Sequence, residues 1–264
     1  MSGELLYGVN GVLIGIVLFI LLMAAVEFGH RIGLRVVKKI NDESKSPVGI
    51  ISGAILGLLA LLLGFTFAMA QSRFDLRQQG VVEESNSIAT AVLRSRLLPE
   101  PVRTETTGLL RSYVDVRLDF YRAGQNPTQL QEVADKSRRI QDQLWAGAQA
   151  AVAKDDREVT SGLFLESLND AFDQGAKRLS AMENHVPESV LLLLFTVALV
   201  AVLGVGYECG LGGHRHLLTT TMMAGLIVLV IWVIIDLDRP RRGIIRVNQN
   251  PMIRLQESLK NDLP

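Results

Sequence analysis

The chain has 264 residues, with 27 basic and 27 acidic side chains and a formal net charge of zero. That balance argues against a dedicated nucleic-acid binder. The lone cysteine, Cys209, excludes an intramolecular disulfide framework and offers no thiolate metal motif.

Apolar residues gather in four blocks, split two and two by a charged middle region. The first block, Leu5–Val26, carries no charge and is long enough to cross a hydrocarbon core of about 30 Å as a helix. No basic residue precedes it and no small-residue cleavage pattern follows, so it reads as a retained anchor rather than a removed signal. A basic loop follows. The second block, Val48–Ala70, places Gly49, Gly53 and Gly57 on one helix face, with Gly64 further on. Such a face lets another helix approach closely in lipid, either within the chain or from a symmetry mate.

Residues 71–187 read as helical and soluble, because apolar residues recur every three or four positions. Phe74, Val81, Ile88 and Val92 extend the second helix to about Leu98, where Pro99-Glu100-Pro101 breaks it. A helix is predicted over Val102–Tyr121, ended by Gly124 and Pro127. Another is marked by Leu130, Val133, Ile140 and Leu144, and a fourth by Val159, Phe164, Leu168, Phe172 and Met182, closing near His185. The third apolar block is Val190–Gly206 and the fourth Leu217–Ile235, with Trp232 at an interfacial position.

The expectation is an all-α, polytopic membrane protein with four transmembrane helices in a two-plus-two arrangement and a cytoplasmic helical bundle between the pairs. Residues 1–70 form the first pair, 71–187 the soluble region, 188–237 the second pair and 238–264 a cytoplasmic tail. The side holding residues 27–47 and Arg215 carries six basic residues near the spans. The other side carries ten, including Arg73, Arg77, Lys177, Arg178 and the tail arginines. The excess predicts cytoplasmic termini in an inner, or plasma, membrane.

Chemistry is sparse. None of the four spans holds an ionisable residue in its core, which argues against a proton-coupled carrier. No catalytic constellation or phosphate cradle assembles, so neither an enzyme nor a cofactor is expected. At the non-cytoplasmic edge, Glu27 and His30 share a helix face and lie at the membrane depth of His214 and His216. These four could converge on a metal or read pH, or they could be loop polar residues with no joint role. Arg73 and Arg77 share a face where the second helix leaves the hydrocarbon; they could snorkel to headgroups or ring an anion path.

The stretch Leu62-Leu63-Gly64-Phe65-Thr66-Phe67 resembles the bestrophin-like family of bacterial membrane proteins. So do Arg73-Phe74-Asp75-Leu76-Arg77, Val82-Glu83-Glu84-Ser85-Asn86-Ser87-Ile88 and the tail motif Asp236-Leu237-Asp238-Arg239-Pro240 with Gly243. The resemblance implies a pentameric anion channel in contact with membrane lipid, with cytoplasmic termini and the second span lining a narrow neck. The aromatic-rich channel signature has no clear copy here, so no selectivity residue carries over. The implied pore candidates are Gly64, Phe65, Thr66 and Phe67, with phenylalanine rings as a dewetting constriction. A non-conducting scaffold or sensor, recruiting partners through its bundle, is the alternative.

Overall fold

The structure, a computed structural model, describes residues 9–37, 46–124, 126–154, 158–239 and 243–261. The helices in chain order are α1 (Gly11–Val36), α2 (Ser46–Ser95), α3 (Val102–Arg122), α4 (Pro127–Lys154), α5 (Glu158–Glu183), α6 (Glu188–Leu211), α7 (Leu217–Leu237) and α8 (Asn250–Asn261). Among the described residues every regular element is an α-helix. Four helical stretches are long and apolar enough to cross a membrane. The chain forms two compact units. One comprises the residues up to Arg73, His185–Arg239 and Gly243–Ile245; the other holds Phe74–Asn184 and the C-terminal residues from Arg246.

In the first unit, α1 begins at Asn10, whose side chain accepts a hydrogen bond from the Val12 amide at 3.0 Å and so caps an orphan donor. The apolar blocks become helices because lipid offers no partner to an open backbone. Their outward leucines and isoleucines stay exposed, Leu13, Ile16 and Ile20 among them, as lipid-facing residues must. The close contact is between α1 and α6. A Cβ placed on Gly29 would overlap the Leu203 carbonyl, and one on Gly33 the Tyr207 carbonyl. Reciprocally, a Cβ on Gly206 would overlap the Val26 carbonyl, and one on Gly210 the His30 carbonyl. Two glycine pairs at four-residue spacing thus bring two backbones together, which in a membrane is worth packing enthalpy that larger side chains would forfeit.

Within the chain, the small-residue contact lies elsewhere than the second helix. Gly49, Gly53 and Gly57 carried the sequence expectation, but a Cβ on Gly53, Gly57 or Gly64 meets nothing within 4 Å. The glycines that are needed stand on α1 and α6. The first helix runs on to Val36, so Glu27 and His30 stand on one helix as expected and Arg31 and Arg35 of the basic loop are helical too; Leu5–Gly8 and Lys38–Lys45 lie outside the described residues.

In the second unit the periodic stripes close into one core. Val81, Ile88 and Val92 of α2 meet Leu110, Tyr113 and Val114 of α3, Leu144 and Ala148 of α4, and Phe164 and Leu168 of α5. Each fully buried large side chain contributes about 1.5–3 kcal/mol of transfer free energy. Pro127 does not end α3. Gly124, at φ +60°, does that, while Asn126 accepts from the Thr128 and Gln129 amides at 3.1 and 3.3 Å and Pro127 opens α4. The tail holds an unexpected element: α8 buries Met252 and Leu259 in the same core, preceded by buried Val247.

Candidate functional site

The motif at the end of α7 is built to fold the chain back. Asp236 accepts hydrogen bonds from the amides of Ile244 and Ile245 at 3.0 and 2.9 Å. A Cβ on Gly243 would collide with that carboxylate, which is why glycine stands there. Asp238, fully buried, accepts from the Val186 amide at 2.6 Å, and its carbonyl meets the His185 ring nitrogen at 3.0 Å. These two aspartates therefore serve as backbone acceptors where α6 begins and α7 ends. Arg239 is buried beside Gly11 and Trp232; Pro240, Arg241 and Arg242 lie outside the described residues.

The second unit contains a charge cluster that the sequence reading missed. Glu84 is fully buried and accepts from Arg117 Nε and, at 2.5 Å, from Arg178 Nη1. Arg178 Nη2 continues to the Gln249 side-chain oxygen at 2.5 Å, and Arg117 Nη2 donates to the Gly175 carbonyl at 3.3 Å. Gly175 makes room: an added Cβ would stand 3.0 Å from the Tyr113 hydroxyl and 3.2 Å from Glu84. Burial pushes the Tyr113 phenol above its ordinary range, partly opposed by the Arg117 charge. The signal was available. Glu84 stands between Val81 and Ile88 on an apolar stripe, as Arg117 does between Val114 and Leu118; a charge at a core position requires a partner.

The edge cluster is arranged as follows. Glu27 is bonded to Arg31 at 2.7 Å and to Arg215 at 3.2 Å. His30 is buried, whereas His214 bonds the Gly212 carbonyl at 2.7 Å and stacks on His216 with ring centroids 6.5 Å apart. Among the described residues, no three His, Cys, Asp or Glu side chains come together as a metal would require.

The pore candidates separate by exposure. Phe65 is 64% exposed and Phe67 40%, and Gly64 faces open space. Thr66 is buried and donates back to the Leu62 carbonyl at 2.7 Å. Arg77 is fully buried; Nε and Nη2 donate to the Ala181 and Asn184 carbonyls at 3.0 and 2.8 Å, at the negative end of α5. Arg73 is half-buried and bonded within the chain.

Along α2 the burial follows a stripe. In the span Ile51, Ala54, Leu58, Leu61 and Phe65 are exposed at three- and four-residue spacing, while Ser52, Leu59, Thr66 and Ala70 are buried. Further along the helix Leu76, Gln79, Glu83, Asn86, Thr90 and Leu93 repeat that spacing and are again exposed. Leu76 and Leu93, at 59% and 61% exposure, are large apolar groups on an otherwise polar face.

Four membrane-length helices, disposed two and two about a helical bundle, define a multi-pass α-helical membrane protein. The chain belongs to the bestrophin-like family: residues 14–252 match its domain, described as bestrophin-like. Among curated proteins, no sequence matches it. Solved structures share the fold. A bacterial bestrophin homolog from Klebsiella pneumoniae superposes with a TM-score of 0.65 at 16% identity, covering 93% of this chain and 99% of that one. One point-mutant form of it gives 0.66 at 15% identity, with 93% and 97% covered. A further mutant gives 0.64 at 16%, with 92% and 98% covered.

Proposed function

We propose that the protein is an oligomeric ion channel whose conduction path is lined by α2, with the termini and the soluble bundle on the cytoplasmic side. The observation that carries this reading is the exposed stripe of α2. A helix that buries Val81, Arg77, Glu84 and Ile88 against its own chain leaves Leu76, Gln79, Glu83, Asn86, Thr90 and Leu93 open. Exposed leucines outside a membrane span are costly in water and favour cover by another copy. A ring of copies about a common axis is the closed arrangement that would turn the open face of each α2 toward the others. Within the span, Phe65 is the bulky exposed side chain of that face and is assigned to the constriction; Gly64 beside it leaves the backbone uncrowded. Phe67 is assigned to the lipid or to a neighbour. Arg77 and Thr66, both buried and bonded within the chain, are assigned to structure rather than to the path. Family membership supports the same reading, with lipid and further copies of the chain as its partners.

Purified protein reconstituted in planar bilayers is expected to conduct, and Phe65→Ala is expected to raise the open current by widening the constriction. Silence across monovalent salts, calcium and pH would remove the channel reading and leave the scaffold alternative.

A further inference from the structure

A groove of about 470 Å³ runs between α2 and α7, a volume within the range of about 300–1,000 Å³ common for small-molecule sites. Leu56, Leu59 and Leu63 form one wall, and Met222, Met223 and Leu226 the other. Both walls lie inside the uncharged runs of the spans. The hydroxyl that lines it, that of Thr219, donates back to the His216 carbonyl at 3.0 Å, so an occupant meets an almost wholly apolar surface. Water does not settle where it finds no polar partners. The two helices do not close on each other as α1 closes on α6 and α7, and side chains alone do not bridge the gap as they do between packed helices.

Two features say what covers the groove. The first is its direction. At about 100° per residue, Leu56, Leu59 and Leu63 lie across α2 from the open stripe of Ile51, Leu58 and Phe65, so a copy seated on that stripe faces away from the groove. Beside it on α7, Leu218, Met222 and Leu226 are exposed, which opens it sideways onto the bilayer. The second is charge at its end. The α7 wall begins at Thr219, in the first turn of the helix. His216 makes no side-chain cap there, and no acidic residue stands in that turn. The positive helix end, with His214, Arg215 and His216 just before it, complements an anionic group; Arg215 is also bonded to Glu27 at 3.2 Å.

We propose that this groove seats a membrane phospholipid, with one acyl chain between α2 and α7 and its phosphate at the first turn of α7. The leucines and methionines hold the chain, and the flexible, polarisable thioethers of Met222 and Met223 adapt to its bends. The uncapped amides of α7 favour a phosphate ester over a neutral glyceride. Such a seat rests on the lipid-facing reading of the spans and needs no conduction.

The test uses the full chain in maltoside micelles, free of bulk lipid, with a limiting amount of phosphatidylglycerol carrying a diazirine on one acyl chain. Light-induced adducts are expected on the peptides that hold residues 56–63 and 219–227. Ala60→Phe fills the groove from one wall and Met222→Phe from the other; both side chains line it and are exposed, and each change should lose most of the adduct. Ile20→Phe, exposed on α1 outside the groove, should keep it, and every variant should elute from a sizing column like the wild type. His216→Asp supplies a cap that should stabilise α7, yet labelling should fall to that of the matching diazirine diacylglycerol, which has no phosphate. Adducts spread evenly over α1, α2 and α7, adducts indifferent to both phenylalanine changes, or equal labelling of the wild type by the diacylglycerol would overturn the proposal. So would thiol cross-linked ladders from Met222→Cys in a Cys209→Ala background, which would give the groove to a second copy. None of these outcomes depends on current, so the channel reading stands or falls on its own test.

Discussion

At the scale of single residues, Glu84 is the side chain on which most depends. It is fully buried and answers two guanidinium groups, one from α3 and one from α5. A buried ion pair adds little net stability over a well-packed apolar substitute, but removing one member strands the others. Glu84→Ala would leave both Arg117 and Arg178 charged in the bundle. In the intact protein burial lowers the Arg117 proton affinity and the Glu84 carboxylate raises it; with Glu84 gone the burial penalty is left, and a guanidinium does not shed its charge to escape it. The expected loss is about 3–5 kcal/mol in the stability of the second unit, measured as a lowered thermal midpoint in detergent. Glu83→Ala, one position away on the open face, should cost no more than about 0.5 kcal/mol. Equal costs at the two positions would contradict the burial pattern. The contrast also explains why the cluster was hidden. Glu83-Glu84 looks like an ordinary acidic pair in the sequence, and only the position of Glu84 between Val81 and Ile88 marks it as internal.

At the scale of elements, the spans and the bundle helices were legible because their cause is local. An uncharged run long enough to cross lipid has one favourable fate, and a stripe at three- and four-residue spacing has one buried face. What was not legible depended on a partner. Gly49, Gly53 and Gly57 have the sharper spacing, yet the tight contact uses Gly29 and Gly33 of α1 against Gly206 and Gly210 of α6. Each half of that contact is a single pair, and Gly29 and Gly33 stand beyond Glu27, where charge ended the apolar block but not the helix. The α8 helix was missed for a related reason. Its apolar positions are few, and they gain their burial only from the bundle core. The glycine assignment predicts a sharp asymmetry. Gly29→Leu or Gly206→Leu should prevent α1 and α6 from closing and should abolish stable, monodisperse protein in detergent. Gly53→Ala and Gly57→Ala, with open space around them, should leave the melting temperature of the isolated subunit unchanged. The same monodispersity and melting measurements on all four variants would reveal a failure of the assignment as indifference at Gly29 and Gly206.

At the scale of the whole molecule, the described chain leaves the open face of α2 without a partner of its own, and the family assignment and the exposed leucines point the same way. A purely lipid-facing stripe would have no reason to continue past the uncharged run to Leu76 and Leu93, at 59% and 61% exposure among charged and polar residues. A stripe that meets other copies would. That difference can be read directly by cross-linking. In a Cys209→Ala background, which removes the one native thiol, Leu76→Cys and Leu93→Cys should each form oligomeric ladders with a short bifunctional thiol reagent. The ladder should end at the subunit number. Val152→Cys, exposed on α4 and off the stripe, serves as the reference and should stay monomeric. A common axis places like residues of every copy near one another only along the face turned toward it. Ladders from Val152→Cys with none from Leu76→Cys would turn this part of α2 outward and remove its stripe from any contact between copies.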